Sequence, residues 1–458
     1  EDYVLTVDAN GEAGWEAAGG GASDINGLSD GVTNSSGVTV GLGTDALAND
    51  DGTANQNTAL GYQSLKAMTS GNNNVGIGYR AGTAVTTGPD SVIIGNNAAA
   101  SSGTEIRGNV IIGKSAGFST SSDYSVYIGN LSGQNGSGNF NVAVGRYSMY
   151  GSGTGANNVA VGNTSGFSIT NGSYNVMMGA DSGRNITTGN DQTAIGHTAG
   201  YSITTGLRNT VIGKEAGYNI TTTSDVVAIG YGAGRKSGAS SVWVGVNAGG
   251  ETTGTVSTSS SVGIGVDALA NATSYGNVAV GASAGSYITT GQNNTFIGRT
   301  AGASGINTST GTNNTVIGFG SDGSGSTVSN EFTLGNSSIS TLRCQVQTIS
   351  ALSDRRDKKD IEELPIGIDF INTLKPVKFT WNMRDGAKVG QQEAGFIAQD
   401  LDKAQIDAYA EDYLSLVLKN NPEKLEASYG KLVPVLVKAV QELSAEISNL
   451  KKEIENGK

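Results

Sequence analysis

The sequence predicts a mainly β protein, in which a shaft of stacked repeats precedes a small α+β domain that ends in a coiled-coil helix. Three observations support this fold class. An apolar triplet closed by glycine recurs along the first 340 residues. The 70 glycines are concentrated in the same part, because only six lie beyond residue 350. From Pro434 onwards, apolar residues recur at alternating steps of four and three.

These changes of pattern divide the 458-residue chain into four segments. Residues 1–37 form an N-terminal linker or anchor, and residues 38–340 form the shaft. Residues 341–430 hold the junction and the α+β domain, and residues 431–458 hold the coiled-coil helix. We expect the N-terminal segment to join the shaft to other proteins.

Each repeat contains an apolar triplet and a closing glycine, and most repeats add an Ala-Gly or Ser-Gly pair three residues later and a turn rich in Thr, Ser and Asn. A disordered linker would not keep an aliphatic pair in register over so many copies. The glycines permit positive φ at turns between short strands. The closing glycines recur every 15 to 20 residues, most often 17, at positions 61, 78, 95, 113, 129, 145, 162, 179, 196, 213, 230, 245, 265, 281, 298, 318 and 335.

Within an extended triplet, positions one and three face one way and position two faces the other. Positions one and three are mostly β-branched or long aliphatic residues, whereas position two varies from Gly to Trp. We therefore expect the first face to be packed and the second to be free to vary. Three aromatic residues at position two are then candidates for an exposed ligand-contacting surface, with packing between chains as the alternative: Tyr127, Trp243 and Phe296.

A single repeat cannot bury its own apolar face, so the copies are expected to stack, at about 4.8 Å each, into a rod on the order of 80 Å long. The unit Ala194-Ile195-Gly196-His197-Thr198-Ala199-Gly200 resembles the head repeats of trimeric autotransporter adhesins and related repeats of phage tail fibres. The resemblance covers roughly residues 38–335 and implies a β-roll built from three chains. A left-handed β-helix made by one chain is the alternative.

Composition excludes several classes of partner. The net charge is −12 with no basic block, which argues against nucleic acid. No run of about 18 apolar residues is present, so we expect no membrane insertion. Cys344 is the only cysteine and His197 the only histidine, which leaves no metal cluster within one chain. We therefore expect neither a metal nor a cofactor.

The last 108 residues follow a different pattern. The alternation in Val377-Lys378-Phe379-Thr380-Trp381 predicts a strand, and Gly395-Phe396-Ile397-Ala398 is a second apolar segment. The terminal helix carries a heptad seam typical of association between chains, although packing on its own domain is the alternative. Its apolar positions are Leu436, Val440, Leu443, Ile447, Leu450 and Ile454.

Ser353 and Lys358 stand at the junction of the two halves. A serine hydroxyl becomes an effective nucleophile when a base accepts its proton, and a lysine in its neutral form can be that base. Spacing alone favours a solvated charged linker with an incidental serine. The wider sequence context reverses that preference.

Residues 351–450 resemble the intramolecular chaperone domain at the C-terminus of phage tailspikes, endosialidases and tail fibres. The resemblance implies that the domain trimerises, guides folding of the shaft and then cuts itself off between Leu352 and Ser353. It also implies that Ser353 is the nucleophile and Lys358 the base. Four blocks in the same order carry it: Leu352 to Ile361, Leu374 to Val377, Gly395 to Gln399 and Tyr429 to Leu443.

We therefore expect a homotrimeric tail-fibre subunit of a virion, assembled in the host cytoplasm, which binds a host-surface receptor and cleaves only itself. A C-terminal domain that is removed after assembly would fix the alignment of the near-identical repeats. Without it, the stacked repeats, which we call rungs, could pair one repeat out of register. One alternative is a glycan-degrading tailspike, for which Asp181 and Glu215 are the best-spaced carboxylates. A bacterial surface adhesin with the same repeats is the other alternative.

Overall fold

The structure, a computed structural model, forms two compact units, Glu1–Arg299 and Thr300–Lys458. None of the helices that it describes is long and apolar enough to cross a membrane. The described residues are 3–7, 13–17, 31–33, 39–53, 55–250, 258–303, 309–345, 353–384, 386 and 388–457.

In the first unit every apolar triplet forms a three-residue strand, and consecutive strands within this unit pair in parallel, position for position. The expected β-solenoid of stacked repeats is thereby confirmed. The rung strands are Val40–Leu42, Thr58–Leu60, Val75–Ile77, Val92–Ile94, Val110–Ile112, Val126–Ile128, Val142–Val144, Val159–Val161, Val176–Met178, Thr193–Ile195, Thr210–Ile212, Val227–Ile229, Val242–Val244, Val262–Ile264, Val278–Val280 and Thr295–Ile297.

Shorter pairings accompany this sheet. Tyr3–Val7 and Ala13–Ala17 form an antiparallel pair within the predicted N-terminal segment. Gly31–Thr33 lies antiparallel to the first rung strand. The two-residue strands Asn135–Gly136 and Ser152–Gly153 pair in parallel on adjacent rungs.

The closing glycines are required by close approach between rungs as well as by backbone conformation. At Gly196 φ is +131°, in the region that side-chain-bearing residues rarely adopt. A Cβ atom at Gly196 would lie 2.6 Å from the carbonyl oxygen of Gly213 on the next rung. A Cβ atom at Gly179 would lie equally close to the carbonyl oxygen of Gly196. In this column of glycines, the backbone of each rung therefore leaves no room for a side chain on the rung before it.

Position two of the triplet points into the solenoid, and it is buried in every rung strand of the first unit. The expectation that Tyr127, Trp243 and Phe296 are exposed was therefore wrong, because their exposed fractions are 1%, 0% and 0%. Alternation shows that positions one and three differ in direction from position two. The coil closes on the side of position two, which leaves positions one and three on the outer surface.

Residues of very different size fit at position two because a second column of interior residues varies in size in the opposite sense. Trp243 lies against Gly249, where a Cβ would come within 2.3 Å of the indole. The opposite arrangement occurs at Gly76, where a Cβ would meet the side chain of Leu65 at 2.6 Å. The Trp243 Nε1 donates to Ser237 Oγ at 2.7 Å, so the buried ring leaves no polar group unsatisfied.

Buried asparagines directly before the strands join the rungs by side-chain hydrogen bonds. The Oδ1 atom of Asn141 accepts from the backbone N–H of Asn158 at 2.9 Å, and Asn158 Oδ1 accepts from the N–H of Asn175 at 3.0 Å. Asn175 Nδ2 donates to the carbonyl oxygen of Gly189 at 2.9 Å. The Asn residues that precede many triplets therefore satisfy backbone groups that stacking buries.

The second unit contains two strands of the repeat and a small α+β region. The repeat strands Thr315–Ile317 and Phe332–Leu334 pair in parallel. The helices are α1 (Ile368–Thr373), α2 (Ala398–Asp407), α3 (Glu411–Leu414) and α4 (Val433–Asn456), and the antiparallel strand pairs are Val377–Thr380 with Gln392–Gly395 and Val417–Leu418 with Glu426–Ala427.

The sequence predicted the main elements of this region. The alternating segment after Pro376 forms a strand, and α4 begins at Val433 with Pro434 in its first turn. Helix α4 contributes to the hydrophobic core of this region. The buried residues of this core are Phe370, Leu401, Ala410, Leu414, Leu416, Val417, Leu432 and Val435.

Candidate self-cleavage site and assembly helix

A short turn brings Ser353 and Lys358 together. Asp354 caps the 3-10 turn Arg355–Asp357, since its side chain accepts from the backbone N–H of Arg356 at 2.8 Å. The turn reverses the chain, and Lys358 Nζ donates to Ser353 Oγ at 2.6 Å. Two side chains five positions apart in sequence therefore lie within proton-transfer distance.

A neighbouring ion pair stabilises the turn. Arg356 Nη2 lies 2.6 Å from Asp354 Oδ2. The pKa of Asp354 is lowered from its ordinary value, first by the hydrogen bond from the Arg356 side chain and then by the backbone N–H of Arg356. Because the pKa of Asp354 is lowered, both interactions persist below the ordinary pKa of an aspartate and are lost as the pH falls through the lowered value; their full contribution to stability is present above the ordinary pKa. Because Arg356 is paired with Asp354, it adds less positive potential at Lys358 than an unpaired arginine would.

Ser353 and Lys358 are both exposed in the single chain. A lysine that accepts a proton from serine works best when it is desolvated, because burial disfavours the ammonium form. Leu352, whose carbonyl carbon would be attacked, lies outside the described residues. The single chain thus brings the predicted nucleophile and base together but leaves both side chains exposed to water.

The C-terminal helix has two apolar faces. Val435 and Ala439 are buried and belong to the face that α4 turns to its own domain. The heptad positions point elsewhere, which argues against the alternative that the seam serves the domain core. Their exposed fractions are 47% for Leu436, 63% for Val440, 42% for Leu443, 51% for Ile447, 51% for Leu450 and 64% for Ile454.

Glu442 links this helix to the rest of the domain, and sequence reasoning assigned it no role. Its Oε2 atom accepts from the backbone N–H of Ile368 at 2.8 Å, at the first turn of α1. A carboxylate there is favourable because the first amides of a helix have no partner within it. Gly367 leaves the space that this carboxylate occupies. The only sequence signal for the contact was a helix start with no capping side chain of its own.

Comparison with known proteins gives one match. Residues 353–410 match the family model described as chaperone of endosialidase, and the match begins at Ser353. No curated protein and no solved structure matches the chain. The family match and the solenoid of stacked repeats together fit a tail fibre or tailspike with a C-terminal intramolecular chaperone. A match to the chaperone domain family implies trimerisation.

Proposed function

We propose that this chain is a subunit of a phage tail fibre, that three copies assemble into one shaft, and that the C-terminal chaperone then cuts itself off before Ser353. One observation carries the proposal: the match to the chaperone family begins at the serine that lies 2.6 Å from Lys358. The fibre would bind a host-surface receptor and join the virion tail through its N-terminal segment.

The outer face of the solenoid supports assembly from several copies. Positions one and three of the rung strands are aliphatic or Thr, and they lie partly exposed along the first unit. A parallel sheet is normally covered on both faces. A continuous apolar face of this kind is typical of an interaction surface. Its most exposed members include Ile128, Met178, Ile229, Ile264, Val280 and Ile297, with exposed fractions from 36% to 42%.

The heptad seam of α4 supports the same assembly from the other end of the chain. Six apolar side chains exposed at heptad spacing are stable in water only when other helices cover them. A trimer that forms first at this helix would align the three shafts before their rungs pack. The outer sheet faces of the three chains would then cover one another, which would complete the fibre.

We expect the purified fibre to sediment as three copies, and Ile229→Asp to destabilise it by about 3–5 kcal/mol per chain, because the carboxylate would be buried without a partner. Chemical unfolding followed by sedimentation measures both. Val246→Asp is the matched control, since Val246 has a similar exposed fraction of 41% but lies outside the strand. Equal stability of the two variants, or a single-chain wild type, would contradict the assembly.

The proposed cleavage is an acyl shift followed by hydrolysis. Lys358 accepts the hydroxyl proton while Ser353 Oγ attacks the carbonyl carbon of Leu352. The peptide bond breaks, the Ser353 amine leaves with a proton, and an ester forms between Leu352 and Ser353 Oγ. Water then hydrolyses the ester and frees both fragments. Assembly would supply the burial that the exposed pair lacks in the single chain.

We expect the 46.3 kDa chain to yield two fragments on expression, and Ser353→Ala to remain whole because it has no nucleophile. Lys358→Met should also block cleavage. Lys359→Met is the control, since the side chain of Lys359 is 93% exposed and points to Asp360 at 3.8 Å. Intact-mass measurement of the products reads out the site, and cleavage of the Ser353→Ala variant at the same bond would reject the mechanism.

The two carboxylates that the sequence suggested for glycan cleavage, Asp181 and Glu215, do not support that function. Asp181 Oδ1 lies 3.1 Å from Arg184, and Glu215 lies 3.3 Å from Arg235 and 3.6 Å from Lys214. Each acid is therefore engaged by a cation, which is unlike the acid and base pair of a glycosidase. A self-cleaving fibre that binds without degrading is the function that the described residues support best.

A further inference from the structure

One edge of the solenoid carries a continuous column of aromatic and arginine side chains. Its members, which we call the aromatic–arginine ladder, are spaced 17 residues apart and occupy six successive rungs: Tyr150, Phe167, Arg184, Tyr201, Tyr218 and Arg235. All six are half-buried. Each follows a closing glycine by five residues, so the stacking of the rungs aligns them.

The ladder residues contact one another without a break. Tyr150 and Phe167 stack at 5.1 Å between ring centroids with planes 7° apart, and Tyr201 and Tyr218 stack at 5.1 Å and 9°. The Arg184 guanidinium lies between the two pairs, 5.4 Å from the Phe167 ring and 5.8 Å from the Tyr201 ring. Arg235 lies 5.8 Å from the Tyr218 ring. These contacts cover ring faces, and the half-buried side chains remain partly accessible to solvent.

Stacking of the solenoid does not require the ladder. Lys66 and Phe118 stand alone at the same place in two earlier rungs, and most other rungs have small or uncharged polar residues there, yet the strands pair in the same register. The small or uncharged polar residues include Ala100, Gln134, Gly250, Ala270 and Ser286. The ladder is therefore a local feature of the six rungs between Tyr150 and Arg235.

The aromatic–arginine ladder and the residues beside it bring several positive charges together on a chain whose net charge is negative. Arg146 lies 4.6 Å from the ring of Tyr147, which packs edge-on against Tyr150 at 5.4 Å. With Lys214, which lies 5.6 Å from Tyr231, this edge holds four cations against the carboxylates of Asp181 and Glu215. The chain as a whole carries −12.

We propose that the aromatic–arginine ladder binds a linear acidic polysaccharide that runs along the shaft. This inference rests on the proposed receptor-binding role of the fibre and names its ligand class. Arginines and the positive edges of aromatic rings both attract carboxylates. Arg184 and Arg235 are three rungs apart, about 14 Å, which suits a linear polymer whose carboxylates recur along its length.

Other polymers fit this edge less well. A neutral glycan would need free ring faces for its sugars, and the ladder stacks those faces on each other. Single-stranded nucleic acid also needs free faces for its bases.

Binding of the assembled fibre to immobilised hyaluronan and polygalacturonate tests the proposal, with dextran as the neutral polymer and single-stranded DNA as the alternative polyanion. We expect both uronate polymers to bind, increasingly weakly as salt rises. The double variant Arg184→Gln with Arg235→Gln should weaken binding by about tenfold or more. The matched control is Arg107→Gln with Arg208→Gln, which also removes two ion-paired arginines and should change binding by less than about twofold.

Failure of the wild type to bind either uronate polymer, equal losses in the two double variants, or preference for dextran or DNA would overturn the proposal. Sedimentation of each variant shows whether assembly is intact, and cleavage at Ser353 is measured on the same samples. A fibre that assembles and cleaves but ignores uronates would reject the ladder alone. Loss of assembly and cleavage in the wild type would reject the proposed function instead.

Discussion

Gly196→Ala is expected to destabilise the shaft by about 3 kcal/mol or more. A methyl group there forces a φ of +131° on a side-chain-bearing residue and also places Cβ 2.6 Å from the Gly213 carbonyl oxygen. Both obstacles lie in backbone, so no side-chain movement can relieve them. Because each rung contacts only its neighbours, the loss would be concentrated at this junction. Chemical unfolding monitored by circular dichroism measures the total loss, and hydrogen exchange localises it.

Gly136→Ala is the control for this prediction. Gly136 does not have positive φ, and its Cβ would make only an ordinary contact of 3.5 Å with the Tyr127 hydroxyl. We expect a change below about 1 kcal/mol there. Equal losses in the two alanine variants would mean that glycine content, rather than rung-to-rung approach, sets the stability of the shaft.

Trp243→Ala is expected to cost about 3–5 kcal/mol, the usual range for removing a fully buried aromatic side chain. The indole is 0% exposed, and deleting it leaves a cavity and removes the partner of Ser237 Oγ. Tyr174→Ala is the control, since its side chain is 63% exposed. Thermal and chemical unfolding compare the two variants.

A double substitution tests directly whether position two and the facing interior column compensate for each other in volume. Another rung places glycine at position two with leucine six residues later in the facing column, since a Cβ on Gly41 would lie 3.5 Å from the side chain of Leu47. The double variant Trp243→Gly with Gly249→Leu copies that arrangement. We expect it to be more stable than the sum of its single variants predicts, with a coupling of about 1 kcal/mol or more. Simple additivity would show that the two columns do not share one space.

Repeat spacing in the sequence was enough to predict the shaft, because an aliphatic pair held at a fixed period determines both the strands and their register. It could not decide which face of a strand lies inside, since alternation is symmetric between the two sides. Tyr127 and Trp243 were assigned to the wrong side for this reason. The compensating glycines explain why position two varies: its neighbours vary with it.

At the candidate site, the sequence identified Ser353 and Lys358, and their hydrogen bond depends on the turn capped by Asp354. The ion pair of Asp354 with Arg356 was missed because side chains two apart usually diverge. Glu442 was missed because its partner Ile368 lies 74 residues away in sequence. The aromatic–arginine ladder could have been found, since aligning the repeats places its six members in one column.

The asparagine bonds between rungs bear on how such a chain evolves. Asn141, Asn158 and Asn175 each meet the next rung through the same pair of atoms, and every joint in this stretch is chemically interchangeable. Loss or duplication of one whole repeat by recombination would recreate a joint of the same kind. The length of the shaft could therefore change in increments of one rung while the aromatic–arginine ladder and the C-terminal domain are inherited unchanged.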